Sequence, residues 1–463
     1  MIRVRLHRDA RTLKRTQSRC PACSVAVPAT VLERDGAVWM EKACPEHGEF
    51  RVRLQSDPRW YFESHGDPSN AGGAPCCGPE GCCAPGPAAV TAPGIAVEGA
   101  RDAVRDPFET LSTCVALIEI VESCNLTCPT CYASSPYGVG DDLRCTPFDE
   151  VVRRVEAVVG RKGFIDILQL SGGEPTIHPE FERILRWASA HPGIGYVLVN
   201  TNAVRVAGDA RFREMLADIR RSRPRFELYV QFDGVQAAGQ SELRGTDLRA
   251  VRERAIDEAG ALGVPTTLAM VVDARTVAGV GDTLRWAVAR PHVRGISLQP
   301  VFTSGRTATV ESRTLPVLPR TVEAMGVSDC VRACVEQAPE LLGAADFTPL
   351  PCGDPNCHAI AYVLRTPDGP VGLSRLIDVP KYAGFLRNRV NYSLEDLARC
   401  GCETEPLGEL IKALELRPEH PFRVFVKPFM DAWTFDQDRI DRCCTHVILP
   451  DGRLDSFCRH YAR

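Results

Sequence analysis

Val115-Ala-Leu-Ile-Glu-Ile-Val121-Glu-Ser-Cys124-Asn-Leu-Thr-Cys128-Pro-Thr-Cys131-Tyr132 is the stretch that decides the fold. Its first seven residues are an apolar run of strand length, followed at once by three cysteines spaced CxxxCxxC. Three thiolates can hold three irons of a cubane, whereas four would close every position. A site with one open metal position binds a reactant rather than only holding structure.

Working outward, the same texture recurs. Apolar strand-like runs lie at 164–170, 196–200, 226–232, 266–272 and 293–300. Helical spacing fills 149–160, 179–190, 211–221, 248–262 and 280–290. Six strand–helix alternations predict an α/β fold with a parallel sheet, curled into a partial (β/α)6 TIM-like barrel over 111–305. The strands are rich in Val, Ile and Leu with little alternation, as strands covered on both faces should be. The active site of such a barrel lies at the C-terminal strand ends. Each motif follows a strand: Ser171-Gly172-Gly173-Glu174-Pro175, Asn200-Thr201-Asn202, Gln231-Phe232-Asp233-Gly234 and Gly295-Ile296-Ser297-Leu298-Gln299-Pro300. Paired glycines let backbone approach a ligand, and Glu174 offers a carboxylate to a cationic amine. Arg244 is a candidate for an anionic group. His178 reads as a packing or capping residue.

The 463 residues carry 21 cysteines and a formal charge of −4. The charge argues against a nucleic-acid partner, and Arg220-Arg221-Ser222-Arg223 reads as the solvated end of a helix. No apolar run reaches membrane-spanning length, and Met1–Cys20 is unlike a secretory signal. A cytoplasmic location is expected, with peripheral membrane contact left open. There the cysteines would serve as metal ligands rather than disulfides.

Residues 1–65 form a small module in which Cys20-Pro-Ala-Cys23 and Cys44-Pro-Glu-His47 flank a hairpin turning at Asp35-Gly36. Cys3His ligation suits zinc, and iron in a rubredoxin-like site suits it equally. Residues 66–110 read as a Gly/Pro-rich linker bearing Cys76, Cys77, Cys82 and Cys83, which with Cys114 offer an auxiliary cluster. Residues 306–463 form a C-terminal auxiliary Fe–S region with Cys352, Cys357, Cys443, Cys444 and Cys458, a second auxiliary site for which Cys352, Cys357, Cys444 and Cys458 are the expected ligands. Cys330 and Cys334 stand at helical spacing as plain core residues; Cys400, Cys402 and Cys145 have no assigned role.

CxxxCxxC followed by an aromatic, with GGEP after the next strand, resembles the signature of the radical S-adenosylmethionine (SAM) superfamily. The resemblance implies that Cys124, Cys128 and Cys131 hold a [4Fe–4S] cluster whose open iron binds SAM. It implies a 5′-deoxyadenosyl radical as the reactive species. It also implies that Gly172, Gly173, Glu174 and Pro175 meet the methionyl amine, that Asn202, Gln231, Asp233 and Arg244 meet ribose or carboxylate, and that Gln299 lies against adenine. The wider series, from the N-terminal CxxC…CPEHG through GISLQPVFTSGR to DGRLDSFC, resembles the branch of the archaeal tetraether lipid synthase and its bacterial relatives. That resemblance implies carbon–carbon bond formation on lipid hydrocarbon chains, a lipid or other small-molecule substrate and a low-potential ferredoxin- or flavodoxin-type electron donor. A peptide-modifying maturase, a methyl- or cofactor-modifying enzyme and a non-catalytic multi-cluster electron carrier stay open beside it.

Overall fold

The computed structural model describes residues 10–62, 108, 113–307, 318–349, 353–376 and 420–462. The expected linker apart from Phe108 lies outside the described residues, as do Cys76, Cys77, Cys82, Cys83, Cys352, Cys400 and Cys402.

The N-terminal module is an antiparallel meander of β1 (Arg11–Arg19), β2 (Ala26–Arg34), β3 (Ala37–Cys44) and β4 (Gly48–Gln55). Asp35 (φ 52°) and Gly36 (φ 73°) both sit in the left-handed region, which a two-residue type I′ turn requires. Strand alternation turns Val38, Met40, Lys42 and Cys44 to one buried face. That face does not close on itself. Trp433, from far along the chain, packs edge-on against Phe50 at 5.6 Å. Buried Lys42 donates to the carbonyls of Ala432 (2.7 Å) and Trp433 (2.6 Å) and to Ser18 Oγ (3.0 Å).

The large sheet contains the six expected strands: β5 (Val115–Val121), β6 (Ile165–Gly172), β7 (Ile194–Thr201), β8 (Phe226–Gln231), β9 (Thr266–Val272) and β10 (Val293–Pro300). They pair in parallel in chain order. The intervening helices include α1 (Phe148–Lys162), α2 (Phe181–Ala190), α3 (Ala210–Ser222), α4 (Arg249–Ala261) and α5 (Val280–Val288). In α1, Val151, Val155 and Val158 bury one stripe, the i, i+4, i+7 spacing of a helix lying on a sheet.

The region after 306 adds to this sheet. Strand β11 (Thr321–Glu323) pairs with β4, and α6 (Val327–Gln337) buries Cys330 and Cys334 in the main core. Strands β12 (Thr348–Pro349), β13 (Ala359–Thr366) and β14 (Gly369–Gly372) form one antiparallel flank. Strand β15 (Pro421–Val426) pairs in parallel with β10, and β16 (Thr445–Ile448) in parallel with β5; β17 (Leu454–Ser456) covers β16. The described sheet thus has eight parallel strands in the order β15-β10-β9-β8-β7-β6-β5-β16, and it stays open between β15 and β16. Lys427 Nζ reaches Thr445 Oγ1 across that gap at 3.3 Å.

The strands do alternate, against the expectation of unbroken apolar runs. Outward positions carry the Val, Ile and Leu that meet the helices. Inward positions are polar at the C-terminal ends (Ser171, Asn200, Gln231, Gln299) and polar again at the N-terminal ends (Tyr196, Glu227, Thr267, Arg423). Leu117, Leu198, Tyr229, Ala269 and Phe425 lie between.

Candidate active site

The loop after β5 is held by its own backbone. Cys124 N–H donates to Pro136 O at 2.8 Å, and Gly138 N–H donates to Cys124 O at 3.1 Å. Arg306 N–H caps Cys131 O at 3.0 Å, and Arg306 Nη1 caps Cys128 O at 2.8 Å. The glycines after β6 let a second loop press against it. A Cβ on Gly173 would lie 1.9 Å from Ser123 O, and one on Gly172 2.0 Å from Val121 O. In that gap Gly173 N–H donates to Val121 O (2.7 Å) and Glu174 N–H to Ser123 O (3.1 Å).

Cys124, Cys128 and Cys131 line one cavity of about 270 Å³, which opens among the C-terminal strand ends and runs into the sheet's concave interior. Gly172, Gly173, Glu174, Asn202, Gln231, Arg244 and Gln299 share its wall. Burial pushes the Cys124 thiol up to about 12, with Glu174, Cys128 and Cys131 adding repulsion. Three thiols crowded by a carboxylate want a cationic metal group to become thiolates, so the donor set fits a cluster.

Two residues expected at the cofactor lie off the cavity wall. Asp233 (φ 62°) is fully buried and off the cavity wall. Its carboxylate takes Arg244 Nε (2.6 Å) and Nη2 (2.9 Å), Arg252 Nη1 (3.2 Å), Gln231 Nε2 (2.8 Å) and Val271 N–H (3.2 Å). Saturated by these donors, it positions the arginines and has no capacity for a sugar hydroxyl. Pro175 starts a buried 3₁₀ turn (Pro175–Ile177) and also lies off the wall. Arg244, beside Cys128, spends two donors on Asp233. Sequence reasoning missed Arg252, in the first turn of the helix Arg249–Ala261 and with no motif around it. It is fully buried and lines the cavity, and among the described residues its Nε and Nη2 have no partner. Asp233 with two arginines leaves one positive charge, so the wall wants an anion; a SAM carboxylate fits it.

Glu174 is 1% exposed. Oε1 accepts from Thr176 N–H (3.2 Å), Thr176 Oγ1 (2.6 Å) and Thr201 Oγ1 (2.8 Å); Oε2 accepts from Asn202 N–H (2.7 Å). Burial raises its pKa against these bonds. Glu174 ties the second loop to β7 and keeps one acceptor position on Oε2. Asn202 Nδ2 donates to Asn125 Oδ1 at 2.7 Å, and Gln299 Nε2 to the Tyr229 hydroxyl at 2.8 Å. His178 accepts from Glu180 N–H at Nδ1 (2.9 Å), with Nε2 2.8 Å from Thr146 O, so it is a cap.

In the N-terminal module Cys20, Cys23, Cys44 and His47 converge within 4.8 Å. The edges are 3.9 Å (Cys23–Cys44 Sγ), 3.9 Å (Cys20 Sγ–His47 Nδ1) and 3.5 Å (Cys44 Sγ–His47 Nδ1). A tetrahedron with arms of about 2.3 Å to sulfur has edges of about 3.8 Å, so the four fit a single ion. His47 draws the Cys44 thiol down to about 6.

The C-terminal cysteines regroup. Successive residues entering β16 point to opposite sides. Cys443 turns toward Cys458 and Cys357, which faces the buried Arg439 guanidinium. Cys444, expected in that set, packs on Cys114 and Ile360 and lies close to Gly353. Cys114, Cys444, Lys427 and His358, whose buried Nδ1 has no partner among the described residues, line the cavity with Cys124, Cys128 and Cys131.

Residues 118–287 match the model described as the radical SAM superfamily, and residues 12–56 match the HMPTM N-terminal zinc ribbon domain. A 7,8-dihydro-6-hydroxymethylpterin dimethyltransferase from Methanocaldococcus jannaschii is 25% identical over 508 residues, covering 96% of this chain and 93% of the relative. A mycofactocin maturase from Mycobacterium tuberculosis is 27% identical over 188 residues, 38% of this chain and 45% of the maturase. SuiB from Streptococcus suis, solved with SAM, superposes with a TM-score of 0.35 at 13% identity, covering 51% of this chain and 55% of that chain. The chain spans about half the length of the solved structures it matches.

Proposed function

We infer that this radical SAM enzyme forms a new bond at an unactivated carbon of a small molecule held inside the barrel, with the radical domain over residues 118–287. One observation carries the reading: a single cavity joins Cys124, Cys128 and Cys131 at the strand tops to Cys114, Cys444 and His358 on its far wall. When bound, a [4Fe–4S] cluster and SAM supply a carbon radical able to remove hydrogen from an unactivated C–H bond. The chain's residues do the rest. Cys124, Cys128 and Cys131 hold the cluster. Arg252, oriented by Asp233, receives the SAM carboxylate, and Asn202, Gln231 and Gln299 present amides along the rim. The narrow interior excludes water from the reacting carbon.

Carbon–carbon coupling of lipid hydrocarbon chains is one form of this chemistry, supported by the apolar middle of the cavity wall. Modification of a dihydropterin is the other, supported by the archaeal relative aligned along nearly its whole length. The peptide-maturase likeness is confined to 38% of the chain. One or two auxiliary clusters, on Cys114/Cys444 and on Cys357/Cys443/Cys458, and a low-potential electron donor complete the proposal. So does zinc or iron in the ribbon. Deuterium transfer tests it: reconstituted enzyme is given SAM, dithionite and a deuterated lipid or 6-hydroxymethyl-7,8-dihydropterin. Label arriving in deoxyadenosine together with a changed substrate mass supports the reading. Deoxyadenosine that stays unlabelled with every candidate overturns it for these substrates.

A further inference from the structure

The floor of the cavity has chemistry that the radical site does not use. The interior of a parallel barrel is ordinarily filled by branched apolar side chains. Here Glu227, near the start of β8, and Arg423, near the start of β15, face the space from opposite sides of β9 and β10. Both are largely out of solvent, with side chains 6% and 21% exposed. Glu227 Oε1 accepts from Thr267 Oγ1 at 2.9 Å. Arg423 Nη2 stands 3.5 Å from the same oxygen, longer than the roughly 2.7–2.9 Å of a well-made charge-assisted bond. Among the described residues, Glu227 Oε2 and the other two guanidinium nitrogens of Arg423 have no hydrogen-bond partner, while the Arg294 guanidinium adds a second positive charge near Glu227. Gly295, paired in register with both Thr267 and Arg423, puts no side chain between the strands that carry them.

An incompletely paired carboxylate and guanidinium in a water-poor interior destabilise the chain relative to apolar packing. Such a pair suits a ligand that finishes its hydrogen bonding. We propose that this floor reads the polar end of the substrate. Glu227 accepts from N–H groups, Arg423 donates to a neighbouring carbonyl, and the ligand is a planar nitrogen heterocycle that carries donor beside acceptor. Glu227 lies four residues below Gln231 on β8, so floor and rim are about 13 Å apart. A substituted bicyclic ring on the floor brings its far carbon up toward Cys124, Cys128 and Cys131. A hydrocarbon terminus seated there would leave both charges unmet. The inference rests on the proposed bond-forming reaction and narrows its substrate to the heterocyclic class.

The test is equilibrium binding of 6-hydroxymethyl-7,8-dihydropterin to the iron-loaded enzyme, beside a dispersed diether lipid. Wild type should bind the pterin; Glu227→Gln should bind at least about tenfold more weakly, and Arg423→Gln similarly. The double variant Glu227→Leu/Arg423→Leu separates recognition from bracing. A pair that only braces strands tolerates apolar replacement, so pterin binding would survive, whereas a recognising pair loses it. Iron content and the unfolding midpoint report whether each variant is folded. Pterin binding that is absent from wild type, or unchanged in Glu227→Gln or the folded double variant, overturns the proposal. So does lipid binding that displaces the pterin without depending on Glu227. Sensitive binding without any probe-dependent product leaves the floor standing and sinks the bond-forming reading instead.

Discussion

Arg252 and Gly173 show how single residues set the site. Arg252 is fully buried, bonded to Asp233 through one nitrogen and, among the described residues, unpartnered at two. Losing a charge-assisted bond to an anion costs about 1.5–3 kcal/mol, so Arg252→Met should raise the KM for SAM by about ten- to a hundredfold. Arg252→Lys should recover part of that affinity. Steady-state deoxyadenosine formation against SAM concentration checks both. Gly173→Ala should lower iron loading sharply, because its methyl would meet Ser123 O at 1.9 Å and force the two loops apart. Iron and sulfide content after reconstitution measures it; full loading would show that the close approach is dispensable. Residue type and spacing made the cysteine and glycine motifs legible in the sequence. Arg252 was not legible, because only folding reveals that its donors lack partners. The same holds for Asp233: its place in a strand-end motif suggested a ligand contact, and the structure spends it on two arginines.

At the scale of elements, the six strands β5–β10 were legible because each buries an outward Val/Ile/Leu row and the first five each precede a helix of ordinary spacing. Strands β15 and β16 were not. They join the same sheet from a stretch with no strand–helix period, and their pairing with β10 and β5 is set by tertiary packing. The polar inward faces were also hidden, since Gln169, Asn200 and Gln231 stand among apolar neighbours and dilute the alternation. The docking of the ribbon on the 430s loop makes a pH prediction. Burial draws the Lys42 amine down to about 8 from 10.5. Between those values the folded chain holds fewer protons than the unfolded chain, so this residue's contribution to stability rises with pH across that window. The unfolding midpoint of wild type minus that of Lys42→Met should therefore increase from pH 8 to pH 10. A flat difference would show that Lys42 titrates normally. At neutral pH, Lys42→Met should also loosen the ribbon, since it removes three buried hydrogen bonds. Faster proteolysis before β5 would report that.

At the scale of the molecule, the eight parallel strands of the described sheet curve around one interior, and cysteines meet it at both ends. The ribbon stands apart with its own tetrahedral donor set. Removing its metal should destabilise the ribbon while leaving a radical-site cluster loaded; Cys44→Ser should cost about one metal per chain and no cluster absorbance. Described helices include none long and apolar enough to cross a membrane. The central claim is that Cys124, Cys128 and Cys131 make this fold a radical SAM enzyme, and deoxyadenosine formation tests it most directly. Reconstituted wild type, given SAM and a strong reductant under anaerobic conditions, should release deoxyadenosine, and the triple change of these cysteines to Ala should release none. Equal deoxyadenosine from both proteins, or none from a wild type with its cluster fully loaded, would contradict the account.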